Sequence, residues 1–335
     1  MLPLPVFDYH RPQSLDEAVT LLGRLGDKAR IVAGGTDVLP NMKHGLFEPE
    51  HLVSIGRIAE LRGIRLEQAQ SGEVLAIGAG MRLAEIAQSV LVQRAAPALA
   101  EACAHVGGPH HRAMGTLGGN ICLDTRCRYY NQTYFWRKAL GFCLKKDGTV
   151  CHVVRGGQKC VAAASNDSAP GLIALEAELT LLGARGERRV PAADFYTADG
   201  IKNTVLEPGE LVIRASVPLR AGRTSAFEKL RRRGAIDFPL LSVAARVDRD
   251  PSTGHDEPSS VRAIDVVVSA LGARPRRLRA TSRLPVGSAP SALPALLADA
   301  AWTECKPLTN LDEDAEWRRD MVRVHVRRAL ERLLG

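Results

Sequence analysis

The sequence lacks the features that direct a chain into a membrane or out of the cell. No window approaches about 18 consecutive apolar residues, and the N-terminus MLPLPVFDYHRP has no basic start followed by an apolar run. We therefore expect a cytoplasmic protein with no membrane partner.

Aromatic residues make up only 4% of the chain, so few rings are available to stack on nucleic-acid bases beside its net charge of +8. Nucleic acid is not an expected partner, and the arginines are interpreted as solvated faces, although an acidic subunit or a phosphate-bearing ligand would use the same charge.

CxxC pairs are also missing, although the chain has seven cysteines. Four of them, Cys127, Cys143, Cys151 and Cys160, fall in one stretch with 15, 7 and 8 residues between them. A reduced cytosol favours thiols or metal ligands over disulfides. Four thiolates can bind a zinc ion or a [4Fe–4S] cluster. The wide spacing favours the cluster, and zinc stays an alternative. Cys103 and Cys305 are predicted to be buried thiols, and Cys122 a packed one.

What is present indicates a mixed α/β protein of two or three domains, because domains usually hold roughly 100 to 200 residues. SLDEAVTLLGRLG (14–26) has a serine cap, an apolar face and a terminal glycine, which predicts a helix. Strands are predicted at 29–35, 51–58, 74–80 and 210–219. Helical patterns cover 82–106, divided by Pro97, and the start of 167–183, which ends as a strand.

The pattern changes from about residue 223. Three neighbouring strands are predicted within 224–233, 239–250 and 261–273, with a polar loop at 251–260 between the last two. Helices are predicted at 291–305 and from Asp314 to the end. These segments predict a separate C-terminal α+β domain.

Two Gly-Gly stretches are candidate ligand-binding turns. AGGTD (33–37) follows a predicted strand, and TLGGN (116–120) offers a second threonine beside two glycines. Glycine lets backbone N–H groups approach a phosphate closely. Neither stretch has the spacing of GxGxxG or of a P-loop. A tight structural turn explains each one alone, whereas the two together could hold opposite sides of an extended diphosphate.

The pattern FDYHRPQSLDEAVTLLGRLGDKARIVAGGTDVLPNMKHG, together with MGTLGGN, DSAPGLIALEAEL and FEKLRRRGAIDFPLLSVAA, resembles the FAD-binding subunits of the molybdenum hydroxylase family. The resemblance implies a two-subdomain FAD-binding fold of the vanillyl-alcohol-oxidase/PCMH type followed by a C-terminal α+β domain. The implied boundaries are 1–58, 59–222 with an insert at about 121–165, and 223–335.

The resemblance also implies the residues that bind FAD. They would be Ala33, Gly34, Gly35, Thr36, Asp37, Val38, Thr116, Gly118, Gly119 and Asn120. Asp167 and Lys229 would lie near the flavin ring or its ribityl chain, where charge can tune the cofactor. From the residues alone, Lys229 could equally be a surface base, and Asp167 could be a helix N-cap.

The insert, NICLDTRCRYYNQTYFWRKALGFCLKKDG and its continuation, resembles the branch of the family formed by 4-hydroxybenzoyl-CoA reductases, whose flavin subunit carries an extra [4Fe–4S] cluster. By this resemblance, the four cysteines of the stretch ligate that cluster. Its aromatic residues are predicted to build the insert's own small core, with shielding of a cluster as the alternative. They are Tyr129, Tyr130, Tyr134, Phe135 and Trp136.

The same resemblance implies an oxidoreductase subunit with no catalytic acid, base or nucleophile of its own. Expected partners are a molybdenum-cofactor large subunit, a small subunit with [2Fe–2S] clusters and a ferredoxin-type donor, in a dimer of heterotrimers. The implied reaction removes the phenolic hydroxyl of 4-hydroxybenzoyl-CoA. Alternatives are the FAD subunit of a molybdenum hydroxylase that oxidises an aromatic or N-heterocyclic substrate, and a zinc-stabilised flavin-binding or scaffold protein.

Overall fold

The structure, a computed structural model, describes residues 3–70, 72–252, 261–283 and 290–335, and within them the strands form three sheets. No helix in this part of the chain is both long and apolar enough to cross a membrane. The predicted mixture of helix and strand is confirmed. Of the predicted polar loop at 251–260, residues 253–260 lie outside the described ranges.

The N-terminal sheet is parallel, with strand order β1-β3-β2. The elements of this part are β1 (Asp8–His10), α1 (Leu15–Leu25), β2 (Ala29–Val32), α2 (Val38–Lys43) and β3 (His51–Ser54). The predicted cap of α1 is confirmed, since the Ser14 hydroxyl accepts a hydrogen bond from the Glu17 backbone N–H at 3.2 Å. Val32, Met42 and Leu52 form a small core on this sheet.

The second sheet is antiparallel, with order β4-β5-β8-β6-β7. Its strands are β4 (Ile64–Ala69), β5 (Gly72–Gly78), β6 (Glu178–Gly183), β7 (Gly186–Pro191) and β8 (Leu211–Pro218). The helices between them are α3 (Leu83–Gln88), α4 (Val90–Ala95), α5 (Pro97–Ala104), α6 (Pro109–Met114), α7 (Leu117–Ile121), α8 (Tyr134–Leu140), α9 (Ser168–Ala174) and α10 (Ala192–Phe195). Pro97 begins α5, as its division of the helical pattern predicts.

The C-terminal sheet is antiparallel, with order β12-β11-β10-β9, and two helices cover it. The elements are β9 (Arg223–Leu230), β10 (Leu241–Arg249), β11 (Val261–Ser269), β12 (Arg276–Arg277), α11 (Leu293–Glu304) and α12 (Ala315–Leu334). This sheet also meets the preceding part of the chain, because α9 packs on β10 and β11 and α5 packs on β9. The shared core continues through Phe227, Ala244 and Val267.

One expected turn is a helix in the structure. Leu117–Ile121 forms a single helical turn, and the Thr116 hydroxyl caps it by accepting from the Gly119 backbone N–H at 3.2 Å. The glycine pair predicted a turn because glycine is a poor helix former. The threonine cap and tertiary packing prevail over that preference.

The insert leaves and rejoins the fold at a backbone clamp. Arg126 and Ala163 exchange two backbone hydrogen bonds, of 2.8 and 2.7 Å. Asn310, from the segment before α12, fixes the same region: its carbonyl accepts from the Arg128 backbone N–H at 2.8 Å, and its amide nitrogen donates to the Val161 carbonyl at 2.7 Å.

Arg318, on α12, is fully buried and stabilises the same region through hydrogen bonds to backbone carbonyls. Its guanidinium donates to the carbonyls of Leu308 at 2.8 Å, Ala270 at 2.7 Å and Leu240 at 3.0 Å. Burial lowers the pKa of this guanidinium to about 10. A buried cation is tolerated here because several carbonyls, rather than one carboxylate, share its hydrogen bonds.

Replacing Arg318 by Met should therefore lower the free energy of unfolding by about 3 kcal/mol or more, because buried carbonyls lose their donor. Arg327→Met is the matched control on the same helix, since Arg327 is exposed and pairs with Glu331 at the surface. We expect the control to change stability by less than about 0.5 kcal/mol. Urea denaturation measures both values, and equal losses would contradict this role of Arg318.

Candidate functional site

The two glycine stretches lie against each other. A Cβ atom added to Gly34 would lie 2.1 Å from the carbonyl oxygen of Met114, and one added to Gly115 would lie 3.5 Å from the Thr36 hydroxyl. We call residues 33–38 the first turn and residues 115–120 the second turn. Their contact is possible only because position 34 has no side chain.

Both turns present small or polar groups at the surface. Thr36 and Gly119 are exposed, and Gly35 has a φ of 72°, a backbone conformation that favours glycine. Gly118 is packed against the preceding strand, since a Cβ there would lie 2.9 Å from the Ala79 side chain. Ala33 and Val38 are partly buried on either side of the first turn.

Asn120 and Asp37 are held by neighbouring polar groups. The side-chain oxygen Oδ1 of Asn120 accepts from the backbone N–H and the hydroxyl of Ser168, at 3.0 and 2.6 Å, which ties the second turn to α9. Asp37 accepts from the Asn41 amide at 2.9 Å and pairs with Arg126 at 3.4 Å. Burial raises the pKa of the Asp37 carboxyl, and Arg126 opposes that rise.

Asp167 and Lys229 form a buried ion pair, with Nζ 2.6 Å from Oδ2. Lys229 is opposite Ser242 in the β9–β10 ladder, so both side chains reach the same carboxylate, and Ser242 donates to Oδ1 at 3.2 Å. Burial raises the pKa of the Asp167 carboxyl, and Lys229 opposes that rise.

The structure excludes both alternatives that the residues had left open for this pair. Lys229 is not a surface base, because its side chain has 0% exposure and its Nζ also donates to the carbonyl of His105 at 3.0 Å. Asp167 occupies the N-cap position of α9, but its side chain makes no capping hydrogen bond. The Asp167 carboxylate therefore binds Lys229 and does not cap α9.

Four of the five cysteines of the insert, all except Cys122, line one cavity, and all seven cysteines of the chain are free thiols. Cys127, Cys143 and Cys160 are buried, and Cys151 is partly exposed. The three buried cysteines share a small core with Tyr130, Ala162 and Leu46, the last of which follows α2. We call this space the cysteine cavity.

The thiols interact with each other and with backbone N–H groups. Burial, reinforced by the three neighbouring thiols, raises the pKa of Cys127 to about 11. The Val154 N–H donates to the Cys151 sulfur at 3.5 Å, and the Ala162 N–H donates to the Cys160 sulfur at 3.4 Å. Such N–H···S contacts stabilise thiolates and tune metal clusters.

Lys145 also lines the cysteine cavity, and the sequence analysis did not single it out. Its side chain is 5% exposed, and its Nζ lies 2.7 Å from Asp124 Oδ1 and 2.9 Å from the Gly200 carbonyl oxygen. Nζ also lies 4.5 Å from the centre of the Tyr130 ring. Two adjacent lysines, Lys145 and Lys146, look alike in sequence, so no local signal marks the buried one.

The prediction for the aromatic residues of the insert is wrong in part. Cys122 has an exposed surface, but burial raises the pKa of its thiol to about 12, and Cys103 and Cys305 are buried as predicted. Tyr130 does belong to the insert's core, and Tyr129 packs against it. Tyr134, Phe135 and Trp136 instead lie on the surface of α8, where Phe135 is 81% exposed. Arg137 of that helix turns inward and donates to the Gly45 carbonyl at 2.7 Å, which leaves the aromatic face outside.

Two glycine turns in contact, the first after a strand of the parallel sheet and the second packed against Ala79 after β5 of the antiparallel sheet, are typical of a cofactor-binding protein. Comparison with known families gives the class its name. Residues 5–220 match the FAD binding domain in molybdopterin dehydrogenase, and residues 225–333 match the CO dehydrogenase flavoprotein C-terminal domain.

Relatives cover nearly the whole chain. The carbon monoxide dehydrogenase medium chain of Hydrogenophaga pseudoflava is 34% identical over 333 residues, which span 98% of this chain and 97% of the relative. A solved structure of carbon monoxide dehydrogenase from the same organism matches with a TM-score of 0.76 and 32% identity, over 98% of this chain and 97% of that one. The xanthine dehydrogenase FAD-binding subunit of Escherichia coli O157:H7 is 30% identical over 72% of this chain and 68% of the relative.

The chain therefore belongs to the family of FAD-binding subunits of the molybdenum hydroxylases, and it is an oxidoreductase subunit. The family identified from the sequence and its two-part fold, an FAD-binding region followed by a C-terminal α+β domain, are confirmed.

Replacing Gly34 by Ala should force the two turns apart and abolish flavin binding, because the added Cβ would overlap the Met114 carbonyl. Gly23→Ala is the matched control, since a Cβ at Gly23 meets nothing within 4 Å and the residue lies inside α1. Alanine there should be neutral or stabilise the helix by at most about 1 kcal/mol. The flavin absorbance per chain measures the effect; full flavin content in the Gly34 variant would contradict it.

Proposed function

We propose that the chain is an electron-transfer subunit that binds FAD and one [4Fe–4S] cluster. The observation that carries the proposal is the convergence of four free thiols on one cavity whose core is continuous with the loop after α2. Only α2 separates that loop from the first turn. One cofactor in each place would put two redox groups side by side.

In this proposal FAD lies along the two turns. Thr36 is exposed and its hydroxyl lies beside the second turn, and Gly35 has a positive φ that lets the backbone approach a ligand closely. Asp37 and Asn120 are already held by protein partners, so they would position the turns as well as contact the cofactor. Asp167 and Lys229 would supply a fixed, buried charge pair near the flavin.

The cysteine cavity fits a cluster better than a zinc ion. A tetrahedral zinc site brings its sulfur ligands to about 2.3 Å from a single point. Within the part of the chain that the structure describes, no three His, Cys, Asp or Glu side chains are grouped closely enough to hold one metal ion. Four thiols that line one cavity, with backbone N–H groups donating to two of the sulfurs, match the number and kind of ligands that a [4Fe–4S] cluster takes at its four corners.

A [4Fe–4S] cluster supplies one-electron transfer at low potential when bound, and a flavin accepts one or two electrons. The chain's own residues hold the two sites together and exclude water. Tyr130 and Leu46 pack with the buried cysteines of the cavity in one hydrophobic cluster. Arg126 closes the insert with its backbone and pairs with Asp37 of the first turn through its side chain.

The proposed partners are a molybdenum-cofactor large subunit, where substrate chemistry would occur, and a small [2Fe–2S] subunit, with a ferredoxin-type donor. The proposed reaction is the reductive dehydroxylation of 4-hydroxybenzoyl-CoA, which rests on the insert's resemblance to that branch. A second candidate is an oxidation with electrons flowing outward, because the relatives include carbon monoxide and xanthine dehydrogenase subunits. The identity of the co-purifying subunits and the substrate that reduces or oxidises the flavin distinguish them.

Metal and flavin analysis of the anaerobically purified chain tests the cofactors directly. We expect about four iron and four sulfide per chain together with one FAD, as one cubane cluster requires. Zinc without iron would refute the cluster and favour the zinc-stabilised alternative. Absence of flavin would refute the main proposal.

Single cysteine replacements test the ligands. Cys143→Ser and Cys151→Ser should each remove iron while flavin stays bound, because the second turn and the FAD groove contain neither residue. Cys305→Ser, at a buried thiol of the C-terminal core, is the control and should retain iron. Equal iron content in all three variants would contradict the ligand assignment.

A further inference from the structure

We propose that Lys145 sets the reduction potential of the cluster in the cysteine cavity by holding a fixed positive charge against it. The inference rests on the proposed [4Fe–4S] cluster and adds to it a residue that ligates nothing. Lys145 lines the cavity together with the four cysteines and His152. Lys145 acts on the cluster through its charge alone and forms no bond to it.

The geometry shows that this charge is built in. Nζ is surrounded by oxygen atoms, namely Asp124 Oδ1 at 2.7 Å, the carbonyl of Gly200 at 2.9 Å, and the carbonyl and hydroxyl of Thr125 at 3.0 and 2.5 Å. Only 5% of the side chain is exposed. An ammonium with these partners cannot swing into solvent, so its distance from the cavity is constant.

Lys145 ends a series of alternating charges that begins at the first turn. Asp37 pairs with Arg126 at 3.4 Å, and Asp124 pairs with Lys145 at 2.7 Å. Asp37 lies in the first turn, and Lys145, at the other end of the series, lines the cysteine cavity. Gly200 brings the same carbonyl close to the cavity, since a Cβ at that position would lie 2.9 Å from the Cys160 sulfur.

The physical consequence has a definite sign. Reduction adds one electron and therefore one negative charge to a cluster that four thiolates already make anionic. A nearby buried cation stabilises that added charge, and it does so more strongly than a solvated one because water does not screen it. Lys145 should therefore raise the potential, whereas Asp124 should lower it.

The test is an anaerobic potentiometric titration of the full chain, with its co-purifying subunits, using dithionite as the one-electron reductant and EPR of the reduced cluster as the readout. Lys145→Gln should shift the midpoint potential to more negative values. Lys146→Gln is the matched control, because it removes the same charge from the next residue, which pairs with Asp147 at the surface. It should leave the potential nearly unchanged.

Asp124→Asn should shift the midpoint potential in the opposite direction. It also keeps the test decisive if the Lys145 variant does not fold. It removes the carboxylate that faces Lys145 and should shift the potential to more positive values. If Lys145→Gln fails to retain a cluster, the Asp124 variant alone decides. A positive shift supports the inference, and an unchanged potential overturns it.

Iron counted before each titration separates this inference from the proposed function. A wild-type chain without iron overturns both. Iron present in every protein with equal potentials overturns only the role of Lys145. Equal shifts in the Lys145 and Lys146 variants would also overturn it, because they would reflect net charge rather than the buried position. A purely structural role for Lys145 would lower stability without moving the potential.

Discussion

The backbone clamp between Arg126 and Ala163 is the constraint on which the candidate site depends. Its two hydrogen bonds bring the ends of the insert together. Cys127 follows one end directly and Cys160 lies just before the other, so the clamp places two of the four thiols. Ala164 then exchanges hydrogen bonds with Ala270 and Gly272, which continues the anchoring into the C-terminal sheet. A long insert without this closure would have no fixed position for its cysteines.

The side chain of Arg126 makes the same position the junction of three parts of the chain. It pairs with Asp37 from the first turn, and its guanidinium lies 3.8 Å from the ring centre of Phe238, in the loop between β9 and β10. Movement of the insert is therefore coupled to the first turn and to the C-terminal domain. Arg318 holds the Ala270 carbonyl from the other side, so a buried arginine stabilises the surface on which the clamp rests.

The sequence predicted the features that depend on neighbouring residues and missed those that depend on distant ones. The cap at Ser14, the start of α5 at Pro97 and the strand before the first turn follow from local patterns. The pair between Asp167 and Lys229 joins residues far apart in the chain, and only the β9–β10 ladder aims the lysine at the carboxylate. Burial of the Lys145 side chain beside the partly exposed Lys146 depends in the same way on the path of the insert.

The glycines show why a structural turn and a ligand-binding turn were hard to separate from sequence. Gly34 has no room for a Cβ because the Met114 carbonyl occupies that space, so the protein itself requires glycine there. That close contact also brings Thr36 beside the second turn, which creates the groove proposed for a diphosphate. The two interpretations are therefore not competitors. A missing side chain first lets two backbone segments meet, and the surface formed where they meet is then available to a ligand.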